Sequence, residues 1–129
     1  MDRAEVIYLD THVLVRLYLG EVDKLSEPAR NAIESEDLFA SPAAILELEL
    51  LHEIGRLDPA AAKVVQVLEQ ELGLRVCDLP FRTVANQAIK ENWTSDPFDR
   101  LIVANTKAAN AQLVTKDDKI RRNYPRAIW

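Results

Sequence analysis

Two rhythms of apolar and polar positions alternate along this chain. The first apolar run, Val6-Ile7-Tyr8-Leu9 within EVIYLD (5–10), is continuous rather than alternating, as a central parallel strand buried on both faces requires. THVLVRLYLG (11–20) then takes up a helical period and closes at Gly20. Ser26, with Glu27 and Pro28 behind it, opens a helix to about Glu34. LFAS (38–41) is a second strand, and Pro42 starts a helix running to Gly55. Asp58-Pro59 has the form of a cap followed by a first-turn proline and predicts a helix ending at Gly73. LRVCDL (74–79) reads as a third strand and PFRTVANQAIKENW (80–93) as a helix. A further helix spans about 97–109, AQLVTKD (111–117) is a fourth strand, a helical turn covers 119–124, and RAIW (126–129) adds an edge strand. Strands separated by helical crossovers predict an α/β fold: one domain over residues 1–129, with a central, mainly parallel sheet of four to five strands flanked by helices.

Composition narrows the class. The chain has 129 residues, 48% hydrophobic and 29% charged, enough to bury a core without disulfides. Cys77 is the single cysteine, so no internal disulfide forms, which fits a reducing compartment. No apolar stretch approaches the ~18 residues that span a bilayer, and MDRAEVIYLD carries acids and lacks the apolar core of a signal peptide. A cytoplasmic protein with no membrane association is the expectation. Three glycines leave no glycine-rich phosphate loop. The net charge of −5 is unevenly spread: residues 1–99 carry 9 basic and 19 acidic side chains, residues 100–129 carry 7 and 2. The basic end, with Arg100, Lys116, Lys119, Arg121 and Arg122, suits either phosphate contacts or an ordinary solvated surface.

The acids are more informative. In SDPFDRLIVAN (95–105), Asp96 suits an N-cap, Pro97 the first helical position and Asp99 the third, where a carboxylate favours the helix dipole. Local capping therefore accounts for both. Topology adds a second reading, because sites in open α/β sheets form outside the carboxyl ends of the strands. Asp10 follows VIYL, Asp117 follows LVTK, and Asp99 lies in the first turn of a helix that begins at that same edge. Glu47 lies in SPAAILELELLHEIGRL (41–57), with Ala43, Ala44, Leu51 and Ile54 as its helical neighbours, while Glu49 and Glu53 read as solvated. An acid on a packing face needs a partner: an arginine at the helix edge, or a cation at a shared site. An all-oxygen cluster selects Mg2+ or Mn2+; His12, His52 and Cys77 have no zinc spacing.

YLDTHVLVRLYLG, SPAAILELELLHEIGRL, DPFDRLIVANTKAANAQLVTKD and RRNYP, in that order, resemble the PIN-domain ribonucleases, and within them the VapC-type toxins of prokaryotic toxin–antitoxin pairs. The pieces cover about half of the chain. The resemblance places the family's acidic site on Asp10, Glu47, Asp99 and Asp117. Asp117 is favoured over Asp118 by the Thr115-Lys116-Asp117 pattern. Asp96 is then chiefly the cap, with Thr11 and Thr115 beside the acids, able to orient them or to serve only strand-end hydrogen bonding. Leu46 departs from the tryptophan common at its position. The implied activity is Mg2+- or Mn2+-dependent endoribonucleolysis, with Arg100, Lys116, Lys119, Arg121 and Arg122 as candidates for the RNA backbone. The implied partners are RNA, a second copy forming a homodimer, and an antitoxin that blocks the pocket. The competing reading within the family is a catalytically silent RNA- or protein-binding module. A phospho-acceptor receiver domain matches in length and element order, but the first strand ends in one aspartate rather than an acidic pair, and no acceptor aspartate closes a middle strand.

Overall fold

The computed structural model describes residues 5–129; residues 1–4, part of the N-terminal stretch read above as no signal peptide, lie outside them. The central strand is β1 (Val6–Leu9), flanked by β2 (Asp37–Ala40) and β4 (Gln112–Val114), with β3 (Arg75–Val76) and β5 (Ala127–Ile128) at the edges. The order is β3-β2-β1-β4-β5 and every pairing is parallel. Seven α-helices connect or flank the strands among the described residues: α1 (Thr11–Tyr18), α2 (Glu27–Ser35), α3 (Pro42–Glu53), α4 (Ala61–Leu72), α5 (Phe81–Ala88), α6 (Pro97–Ala108) and α7 (Asp118–Asn123). Ile7, Tyr8 and Leu9 are buried, as the unbroken apolar run predicts, and pack with Val13 and Leu14 of α1, Leu48 of α3, and Ile102 and Val103 of α6. The chain first builds outward from β1 to β3, then returns to add β4 and β5 on the other side. That reversal makes the crevice between the carboxyl ends of β1 and β4 the switch point of the sheet.

Four boundaries differ from the sequence reading, each for a tertiary reason. The helix expected from Asp58-Pro59 starts at Ala61, with Ala60 at the cap position and no capping side chain of its own. Glu49 of α3 supplies the missing acceptor, taking the Ala61 N–H at 3.0 Å, so it is not the solvated residue that its sequence position suggests. The helix expected to reach residue 93 stops at Ala88, because Arg100 of α6 donates to the Ala88 and Ile89 carbonyls at 3.0 and 3.3 Å. Beyond it, Glu91 turns inward and is 2% exposed, receiving Lys107 at 2.6 Å, Trp93 at 2.7 Å and Gln87 at 3.2 Å. Burial pushes its pKa up, but these three donors outweigh that and hold the carboxyl below its ordinary range. The third strand has two residues rather than six, since after one more bond from Cys77 N–H to the Ala40 carbonyl the chain folds back and the Leu79 N–H meets the Cys77 sulfur at 3.4 Å. The fourth strand ends at Val114 because Asp117 is already the cap of α7. Gly73 ends α4 as expected, at φ +69°, where its missing Cβ avoids strain. No helix among the described residues is long and apolar enough to cross a membrane.

Removing the cross-helix cap isolates its contribution. Glu49→Ala should lower stability by about 1 kcal/mol, in line with other helix caps, seen as a lower urea midpoint at unchanged slope; an unaltered midpoint would show that α4 does not need this acceptor.

Candidate functional site

A cavity of about 680 Å³ opens at the carboxyl ends of β1 and β4, and Asp10, Glu47, Asp96, Asp99 and Asp117 all line it. Distant sequence converges here because each acid sits on a different element. Asp10 ends β1 and caps α1, its Oδ1 accepting the Thr11 N–H at 2.8 Å. Its Oδ2 accepts the Thr115 hydroxyl at 2.6 Å. That same Thr115 oxygen accepts the Asp117 N–H at 3.1 Å, so one buried hydroxyl ties the end of β1 to the end of β4. Asp117 in turn caps α7 through the Ile120 N–H at 2.9 Å. Glu47 projects from α3 and accepts the Thr11 hydroxyl. The arginine ion pair considered for Glu47 does not occur among the described residues.

The doublet in SDPFDRLIVAN divides its duties. Asp96 is the N-cap of α6, accepting the Phe98 N–H at 2.8 Å and the Asp99 N–H at 3.2 Å. The Asp99 side chain receives no hydrogen bond from the described residues and faces the cavity half-buried. Desolvation, and then the charges of Asp96, Asp10, Asp117 and Glu47, push its pKa up to about 7. Glu47 is raised as well, by burial first and by Asp10 and Asp96, against the opposing pull of the Thr11 hydroxyl. Negative charge is therefore crowded here beyond what the protein's own donors balance. No three described His, Cys, Asp or Glu side chains are grouped closely enough to hold a metal ion by themselves.

The remaining candidates lie elsewhere. Arg100 lines a shallow depression with Ala88 and Ile89 and serves the end of α5. Lys116, Lys119, Arg121 and Arg122 are exposed and do not line the acidic cavity; Arg121 stands 3.6 Å from Asp118, which is 81% exposed and outside the cavity. Three cavity residues escaped the sequence reading: His12, Arg16 and Arg56. His12 Nε2 accepts the Lys116 N–H at 3.0 Å, which places the proton of the neutral ring on Nδ1, 3.4 Å from Asp10 Oδ2. The signal for His12 and Arg16 lay in helical spacing, since they sit one turn apart on the helix that Asp10 caps. No local pattern marks Arg56, which follows α3 in a turn.

A PIN-domain family profile matches residues 7–124. The chain is 33% identical over 126 residues to Ribonuclease VapC22 of Mycobacterium tuberculosis, covering 95% of both chains. Among solved structures it is similar to VapBC2 of Rickettsia felis bound to a promoter DNA fragment, with TM-score 0.65, 16% identity, and 91% and 92% of the two chains covered. A toxin–antitoxin complex of Klebsiella pneumoniae gives TM-score 0.60 at 13% identity, covering 95% and 96%. At these identities the two structural matches speak for the fold.

Because the folded protein keeps the Asp99 proton to about pH 7 and the unfolded chain releases it near the ordinary aspartate value of 3.8, the native state holds the extra proton across that window. Asp99 thus favours folding at low pH, and this contribution is lost as pH rises toward 7. Asp99→Asn should flatten the decline in thermal midpoint over that range and leave the variant more stable than the parent at pH 8; parallel profiles for both proteins would contradict the raised pKa.

Proposed function

The chain belongs to the PIN-domain family, and from that premise we propose that it is a Mg2+- or Mn2+-dependent endoribonuclease, the toxin of a VapBC-type toxin–antitoxin pair. The observation that carries the reading is the shared cavity of Asp10, Glu47, Asp99 and Asp117, with the Asp99 pKa pushed up to about 7 by burial and then by the surrounding carboxylates. A set of carboxylates in that state calls for a cation, and all-oxygen donors fit a hard one. Few direct protein ligands, with water completing the shell, is the pattern Mg2+ favours. Asp10, Glu47, Asp99 and Asp117 would hold the ion directly or through water. Bound there, the cation supplies Lewis acidity toward a phosphodiester and makes water a better nucleophile at neutral pH.

The chain's own groups prepare that site. Thr115 and Thr11 fix Asp10 and Glu47 through their hydroxyls, so the carboxylates need little reordering when the ion arrives. Asp96 positions Asp99 by ordering the first turn of α6. His12, as the Nδ1–H tautomer, places that proton beside Asp10 while its Nε2 holds the 115–117 segment. The partners in this reading are RNA, a cognate antitoxin and a second copy of the chain, in the cytoplasm. An apolar cavity of about 450 Å³, walled by Leu46 of α3, Phe81 and Val84 of α5 and Leu101 of α6, supports a protein partner.

Asp10→Asn keeps an oxygen that can accept from Thr115, so the fold should persist while the charge is lost. RNA cleavage in Mg2+ or Mn2+ should vanish with chelator and fall by more than about 100-fold in the variant, beyond what second-shell changes to a metal site cost. Cleavage retained by Asp10→Asn, or indifferent to chelator, would reject the assignment; RNA binding without cleavage in the parent protein would return the silent-module reading.

A further inference from the structure

The acidic cavity has a second, oppositely charged pole. Arg16 and Arg56 line it together with Val15, Leu19 and Leu51, while the exposed basic residues near the C-terminus do not. We propose that Arg16 and Arg56 form a phosphate-binding subsite that grips the backbone of single-stranded RNA beside the scissile phosphodiester. This deepens the nuclease reading and rests on it.

Three observations carry the assignment. First, neither guanidinium is used by the acids that share its cavity. Arg16 Nη1 lies 3.2 Å from Glu21, on the α1–α2 connection, and Arg56 makes no ion pair among the described residues. Second, Arg16 is pre-set. Glu21 also pairs with Lys24, which together with Arg16 keeps its carboxyl below the ordinary range despite the opposing effect of burial. An anchored guanidinium with one nitrogen engaged still offers several N–H donors in a fixed fork, the geometry that suits a phosphate. Third, the cavity that the arginines and acids share is also lined by apolar Val15, Leu19 and Leu51, and Leu19 is 54% exposed. A surface of that kind suits sugar and base edges better than solvent.

The arrangement selects the ligand class. A polyanion approaching five carboxylates is repelled unless its charges meet cations in register. An RNA strand can present one phosphate to the cation at the acidic pole and another to the arginines. An acidic protein segment would satisfy the arginines but set further carboxylates against the same cluster.

The test uses the full chain with a labelled single-stranded RNA oligonucleotide. In an Asp10→Asn background, which prevents turnover, Arg16→Gln and Arg56→Gln should each weaken binding by about tenfold, the scale of a charge-assisted hydrogen bond. Each should also make the salt dependence shallower by about one in log–log slope. In the cleaving enzyme the same changes should raise KM and leave kcat close to the parent value, with the thermal midpoint unmoved. Lys119→Gln with Arg122→Gln, outside the cavity, should change binding far less. Unchanged binding, salt slope and KM in the arginine variants of an enzyme that does cleave RNA would overturn the subsite. So would variants that lose a poly-glutamate peptide but keep RNA, which would assign the arginines to a protein partner. A parent protein that neither binds nor cuts RNA would overturn the nuclease reading and the subsite with it.

Discussion

The hydroxyl of Thr115 donates to Asp10 and receives the backbone N–H of Asp117, and this one buried oxygen joins the segments that leave β1 and β4 just beyond the backbone ladder that sets their register. The geometry of the cavity follows from it. With β1 and β4 fixed there, α1 and α7 both begin at the same rim, and α6 arrives beside them after the turn that Glu91 anchors. Three of the acids, Asp10, Asp96 and Asp117, are N-caps. Each therefore holds its negative charge where backbone N–H groups and the positive end of a helix dipole stabilise it. Capping and site formation are one arrangement here.

What the caps do not neutralise is left to Asp99 and Glu47. Asp99 has no donor among the described residues and Glu47 has one hydroxyl, and both have raised pKa values. Crowding like charge costs stability in the folded protein. Arg16 and Arg56 line the same cavity without pairing with these acids, so the cost is not relieved by the cavity's own arginines.

Where the observed elements depart from expectation, a residue distant in sequence has intervened. Asp58-Pro59 carries the local signature of a helix start, yet α4 begins at Ala61, under Glu49 of the neighbouring helix. The helical period of 80–93 is interrupted at Ala88 by Arg100, twelve residues on. Arg100 had drawn attention as a charge in a basic stretch, and its Nε and Nη2 are engaged by those carbonyls. Helical spacing puts His12 near Asp10 but does not reveal its role, because its two partners, the Asp10 carboxylate and the Lys116 N–H, meet only when β1 and β4 lie side by side.

By itself the sequence determined the α/β class, the continuous apolar runs that become buried parallel strands, and the cap at Asp96, because these depend on interactions within a turn or a strand. It also determined that Asp10 and Asp117 follow strands, and hence meet at the same rim of a parallel sheet, though Asp117 stands three residues past the end of β4. Only the tertiary structure decided that Glu47 is served by Thr11 rather than by an arginine, that Asp99 is the acid left without a donor, and that Arg16 and Arg56 share the cavity while the basic C-terminal residues stay outside it. Those outcomes depend on burial and on charges brought together from separate elements, and neither quantity exists until the chain has folded.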